Sequence, residues 1–504
     1  MRCAMTVFFL ALALADCARG EKNPVPGGEG TVINMYLFST GDSFRNIEPV
    51  LAAFEARTKE TLNIGLRLHI MSVEDYRNQM PLILDSGAEA DLVFDAPWMH
   101  LAPLMQKDAY KELSASFESP GLEGLRAAFP RDFLDANRFY GGLYGIPIMD
   151  VPYDIPGVFY RKDLARKYGI AIETYADLRA FFDAVHSHEA GVIPLAIGNT
   201  RGFYHMFDSP REMARDRLYE IEGIIGGGRE LLYVGLSPDG KQVTGVSAYG
   251  DPLASYAAYM PPRRTFAGFN RYFFEASRWS AYTEPDTVLR ETAKPLFLGG
   301  YAASEEGTIS EFEAERQRLE EAVPGAELGF WPYNEDIRNR RKGVVALSFR
   351  AWNYLCVPRR SAKTEKVFQF LDWVFASKEN NDLFALGLPD QQDYRFPGFQ
   401  LTWNPRFVRI PEGLPQDIQD LLAFQAAPDS FTRTPLAGFI FDERPVTLEV
   451  AKIRVIWEKY HYALLCGAYD DPSAALRAMN AEMEDAGLAA VKAEIARQVR
   501  AWVE

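Results

Sequence analysis

Few residues of this chain are spaced for chemistry. Asp91 and Asp95 stand four apart and could serve as an acid and a base flanking one bond, as in glycoside hydrolysis. Among 69 acidic residues such coincidences are common, so the pair carries little weight. The six histidines are His69, His100, His186, His188, His205 and His461. Only His186 and His188 are close, and two apart they do not share a helix face. No Glu-flanked histidine pair, nucleophile elbow, phosphate loop or dinucleotide fingerprint occurs in a fitting context. Arg338-Asn339-Arg340-Arg341-Lys342 could meet an anion but reads first as a solvated loop. No catalysis, metal site or cofactor is expected.

The elements that would position a site read as α/β. Thr31–Phe38, Leu66–Met71 and Ala90–Phe94 are strand-like, with helical stretches at Ile47–Lys59 and Val73–Leu84 between them. That alternation argues for a mainly parallel sheet covered on both faces. Ligands of such sheets sit beyond the carboxyl ends of the strands, which makes Asp95 and Trp98 candidate pocket residues. A helix cap and a core or surface tryptophan are the equal alternative. Further on, Leu101–Leu113 and Tyr175–His186 read as helix, and Val192–Ala196 as strand-like. The region 200–290 reads as helical with Gly-rich loops, Lys294–Ala302 as strand-like, and the chain after Val446 as mostly helix. Gly141–Asp163, with Pro147, Pro152 and Pro156, suits a segment that turns and crosses between structural units.

With 504 residues the chain is too long for one core, and roughly two to four domain-equivalents are expected. A net charge of −15 argues against a general nucleic-acid binder, which would show a basic stripe. Arg2 and the apolar run Ala4–Ala15 are too short to span a membrane and fit a secretory signal. Leu14-Ala15-Asp16-Cys17 resembles a bacterial lipobox, with Cys17 the lipidated residue and Asp16 a departure from the pattern. Cys356 and Cys466 both lie in apolar contexts, where a disulfide and two free buried thiols are equally open.

The C-terminal stretch points to a family. Pro435-Leu436-Ala437-Gly438-Phe439, Phe441-Asp442, Pro445-Val446, Glu449-Val450-Ala451, Tyr460 and Leu464–Gly467 lead to Asp471-Pro472, Ala486-Gly487, Val491, Glu494, Gln498 and Trp502. These resemble the extra C-terminal region of large lipoproteins among the extracellular solute-binding proteins, family 1, of ABC importers. Weaker matches are Tyr144-Gly145-Ile146-Pro147, Tyr160–Leu164 with Thr174–Leu178, Lys366–Ala376, and Gly387 with Tyr394. Together they extend the resemblance to about residues 31–504.

The resemblance implies a periplasmic-binding-protein-like α/β fold, two discontinuous lobes with a hinge and a central ligand cleft. The expected division is a signal at 1–17, a linker at 18–30, lobe 1 at 31–150 plus 291–350, and lobe 2 at 151–290 plus 351–504. Residues 435–504 form the family's C-terminal helical region. It further implies an exported receptor, lipid-anchored or periplasmic, working as a monomer that delivers a sugar or oligosaccharide to ABC permease subunits. A sugar ring needs an aromatic plane for its C–H face and polar partners for its hydroxyls. The expected stacking residues are Trp98, Tyr144, Tyr153, Trp331 and Trp352, with Asp95, Glu306 and Asn353 for hydroxyls. Some relatives carry a calcium loop where this chain has Val185–Gly191, which lacks the alternating oxygen ligands, so no calcium is expected there. The alternatives are an exported glycan-acting hydrolase and a sensory or surface binding protein that does not transport.

Overall fold

The computed structural model describes residues 30–39, 47–129, 131–148, 151–199, 202–207, 217–221, 231–256, 266–290, 292–388, 407 and 409–504. The signal with Cys17, most of the linker, the glycines 223–228, residues 259–262 and Tyr394 lie outside them. The strands are β1 Thr31–Ser39, β2 Ile64–Ser72, β3 Leu92–Asp95, β4 Ile146–Ile148, β5 Pro156–Arg161, β6 Leu218–Glu220 and β7 Leu232–Leu236. They continue as β8 Val243–Ala248, β9 Ser304–Thr308, β10 Leu328–Pro332, β11 Val345–Leu347, β12 Asn353–Cys356 and β13 Phe431–Arg433.

Two compact units emerge, one built from Met1–Asp150 with Ala351–Phe407 and the other from Val151–Arg350 with Val408–Glu504. The return segments thus fall the other way from the expected division. Strand pairing is the reason: β9 and β10 both flank β5, which keeps 291–350 in the second unit. β12 pairs with β3 and β4, which draws 351–407 into the first.

The first unit is organised on a five-stranded sheet of order β2-β1-β3-β12-β4. β2, β1 and β3 are parallel and β12 runs against both its neighbours. Every residue of β3 is buried, as a central strand covered on both faces requires. Ser72 caps the helix Val73–Ser86 by accepting from Asp75 N, and Gly87 ends it at φ 77°. The helix Thr364–Ala376 buries Val367, Phe368, Phe370, Leu371, Val374 and Phe375 as one apolar stripe. The expected helix Leu101–Leu113 stops at Gln106. Asp108 then takes φ 58° and Tyr110 bridges to Pro358, which turns its ring into the core.

In the second unit, β10-β5-β9 is antiparallel and sets Trp331, Val158 and Glu306 side by side on one face. A methyl group on Gly307 would enter the Phe159 ring, so glycine lets that ring lie across β9. Two expectations fail in this unit. Lys294–Leu298 is a helix with Pro295 in its first turn, not a strand, and Gly299-Gly300 closes it before β9 begins. The region read as helical holds the antiparallel sheet β6-β7-β8. Residues Ile193 and Ala196 form only isolated parallel bridges to Ala302 and Glu305.

The C-terminal helices Thr447–Leu465, Pro472–Asp485 and Leu488–Val503 share one core with β7 and β8. Buried Asp251 ties them in, accepting from Asn480 Nδ2 at 3.0 Å and pairing with Lys492 Nζ at 2.5 Å. Cys356 is a free buried thiol in the first unit, and Cys466 is buried in the second. None of the described helices is long and apolar enough to cross a membrane.

Candidate functional site

In the first unit the candidates gather beyond the carboxyl end of β3. Asp95 is 1% exposed, and both of its oxygens are occupied. Oδ1 accepts from the backbone N–H groups of Ala96 at 2.7 Å and His100 at 2.9 Å. Oδ2 accepts from the Tyr110 hydroxyl at 2.6 Å. Burial pushes the carboxyl up to about 6 against the pull of these three donors. Asp95 therefore does not offer an oxygen to a hydroxyl; it closes the 96–100 loop on itself.

That loop carries Trp98, half-buried with its ring 5.8 Å from Phe94 and 6.2 Å from Phe38. Its indole N–H donates to Asn353 Oδ1 at 3.1 Å. Asn353 opens β12, and Trp352 beside it is 61% exposed. A large aromatic left that open next to a half-buried amide is the arrangement a polar ligand with an apolar face would use. Tyr144 lies just before β4, the strand that pairs with β12 through Ile146–Ile148.

Asp91 is engaged elsewhere. It accepts from Asn34 N at 2.9 Å and Ser361 Oγ at 2.8 Å and pairs with Lys363 at 3.0 Å. Burial raises its carboxyl, but these donors outweigh that and hold it below the usual range. Asp91 precedes β3 and Asp95 ends it, and each carboxylate is taken up by its own set of donors rather than facing the other across an open site.

In the second unit, Glu306 Oε2 accepts from the Tyr333 hydroxyl at 3.1 Å. Glu306 lines a cavity of about 260 Å³ together with Ile197, Gly198, Thr292, Lys294, Glu305 and Glu311. Small-molecule pockets run from roughly 300 to 1,000 Å³, so this one would take part of a ligand. Lys294 is anchored by Glu311 at 3.0 Å and Glu315 at 2.8 Å. Burial works against its charge, yet these carboxylates leave it above its usual value. Tyr153 is half-buried and meets Phe431 edge-on at 5.8 Å. Burial, with the charges of Glu220, Asp154 and Glu306, pushes its hydroxyl well up, so it stays neutral.

Trp331 is a core residue rather than a stacking surface. It is 3% exposed, meets Tyr175 edge-on at 4.9 Å, and has the Arg338 guanidinium 4.4 Å from its ring centroid. The basic loop is likewise engaged within the unit. Arg338 donates to the carbonyls of Pro332 and Tyr333, Arg341 pairs with Asp336, and Lys342 with Asp429. Val185–His188 are the last turn of a helix, and Glu189 after it pairs with Lys167. Tyr110, Tyr333 and Lys294 escaped the sequence reading. The alternation in Trp331-Pro332-Tyr333 was the available signal for Tyr333, since residues two apart in a strand share a face.

Residues 435–504 match the model of a domain of unknown function, DUF3502. A carbohydrate ABC transporter substrate-binding protein from Streptococcus pneumoniae is 26% identical over 224 residues, 43% of this chain. The chain spans 44% of the length of that curated relative. Among solved structures, the N-glycan transport solute binding protein of Streptococcus pneumoniae, in complex with Man1GlcNAc, superposes with a TM-score of 0.68 at 18% identity. That match covers 94% of this chain and 99% of that one. An ABC substrate-binding protein of Listeria monocytogenes, in complex with cycloalternan, gives a TM-score of 0.54 at 14% identity, covering 92% and 100%. The chain thus carries this C-terminal domain, is similar over part of its length to a substrate-binding protein of an ABC transporter, and shares the α/β periplasmic-binding-protein fold of its structural neighbours.

Proposed function

We propose that this protein is the extracellular solute-binding component of an ABC importer and that its solute is a sugar or oligosaccharide. The observation that carries this reading is the pairing of open Trp352 with Asn353, whose amide is held by Trp98 at the carboxyl end of the sheet. Trp352 stacks on the ring and Asn353 bonds to its oxygen, while Asp95 and Trp98 hold these residues in place without touching ligand. In the second unit, Glu306 offers a carboxylate from the wall of the cavity it lines. The receptor works as an exported monomer, anchored through Cys17, and hands its solute to the permease subunits.

A thermal-shift screen tests the reading. The panel comprises Man1GlcNAc, Man5GlcNAc, cycloalternan and maltotetraose, the glycans of structural relatives, with free amino acids and dipeptides as controls. A ligand of the folded state alone raises the midpoint by an amount that grows with its concentration over its Kd. Expected is a concentration-dependent rise with at least one glycan. A rise with a peptide and none with any glycan would contradict the sugar reading.

A further inference from the structure

The amide of Asn353 has a fixed polarity. An indole N–H can only donate, so the Asn353 atom 3.1 Å from Trp98 Nε1 is the carbonyl oxygen. Its Nδ2, with two hydrogens, is turned to the remaining side. Rotating the amide would set two donors against each other at a half-buried site, leaving both without a partner at a cost of about 1–3 kcal/mol each. The arrangement is braced from beneath. Trp98 sits in the 96–100 loop, which Asp95 closes by accepting from both of its ends. Asp95 is in turn held by the Tyr110 hydroxyl. Asp95, Trp98 and Asn353 therefore form one relay, running from the buried end of β3 to the side of an open tryptophan.

We infer that Asn353 is a specificity-determining residue that reads an acceptor oxygen of the sugar stacked on Trp352, with Trp98 and Asp95 as positioning residues that set the polarity of its amide. This rests on the sugar-receptor reading and deepens it. The ligand class is a sugar whose ring edge beside Trp352 presents an oxygen that accepts, such as an acetamido carbonyl, a ring oxygen or a hydroxyl turned to accept. A group that can only donate, such as an ammonium substituent, is rejected at that position.

Calorimetric titration of the full chain tests this, using the panel glycan that wild type binds best and the variants Asn353→Ala, Asn353→Asp and Trp98→Phe. Asn353→Ala removes the donor, and roughly fivefold weaker binding is expected. Asn353→Asp still accepts from Trp98 but turns a second acceptor toward the ligand, so binding weaker than in Asn353→Ala is expected. Trp98→Phe keeps the ring and frees the amide, giving a loss of a few fold that disappears in the Asn353→Ala background. A merely structural role for Trp98 would instead give the same loss in both backgrounds. Asn353→Asp binding as well as or better than Asn353→Ala overturns the inference while leaving the sugar reading intact. If Asn353→Asp does not fold, the Trp98→Phe and Asn353→Ala cycle decides alone. Wild type that binds no glycan of the panel overturns both.

Discussion

Replacing Asp95 by asparagine is expected to stabilise the protein at neutral pH, although it changes a fully hydrogen-bonded core residue. The folded-state carboxyl sits at about 6 against an ordinary 3.8, burial being the main cause. A folded-state value above the unfolded one means that the folded chain holds the proton more tightly. Stability from this group is therefore fully present below about pH 4 and is lost as the pH rises to 6. A shift of about two units at roughly 1.4 kcal/mol each amounts to about 3 kcal/mol, all of it lost by pH 7.5. Asparagine keeps an oxygen for Ala96 N and His100 N, and its amide can donate to the Tyr110 hydroxyl, which can accept as well as donate. The variant carries no charge to bury, so its advantage over wild type should grow by about 2 kcal/mol between pH 4.5 and 7.5. Urea denaturation at several pH values reads this directly. A difference independent of pH, or a variant less stable at pH 7.5 than at pH 4.5 relative to wild type, would refute the reasoning.

Other outcomes follow from the same geometry. Trp352→Ala removes an exposed side chain, so urea stability should move by less than about 0.5 kcal/mol while calorimetry shows glycan affinity falling roughly tenfold. Trp331→Ala empties a core position and should cost about 3–5 kcal/mol by the same denaturation assay. Lys492→Met leaves Asp251 buried without its cation, and a loss of about 3–5 kcal/mol is expected in the unfolding of the second unit. An unchanged midpoint would mean that the C-terminal helices are not integral to that unit.

The fold was legible where strands and helices alternate with clear periodicity, as from β1 to β3. It was hidden where a signal was local and outvoted. The hairpin of β7 and β8 turns through Asp239-Gly240, a recognised turn pair, but the surrounding glycines and aromatics read as helix and loop. At Lys294–Leu298 an apolar run looked like strand, yet Pro295 and the acidic anchors of Lys294 favour a helix start. The return segments were misassigned because strand partners many residues apart leave no mark in a single sequence. Site residues divide the same way. Trp352 and Asn353 were picked out from their place beside a strand, and the structure leaves Trp352 open there. Trp331, equally aromatic at a strand end, is packed against Tyr175 and Arg338, and residue type alone does not separate an open tryptophan from a buried one. Asp95 was noticed for its position, but its donors come from a loop and a tyrosine whose approach only the folded chain reveals.

In the proposed function the sugar stacks on the exposed ring of Trp352. Isothermal titration of wild type and Trp352→Ala with the glycan that gives the largest thermal shift tests it most directly. One saturable site per chain in wild type, weakened at least several fold in the variant with its fold intact, is the predicted result. Equal affinity of the two proteins would contradict the placement of the site, and binding of amino acids or peptides with none of the glycans would contradict the sugar itself.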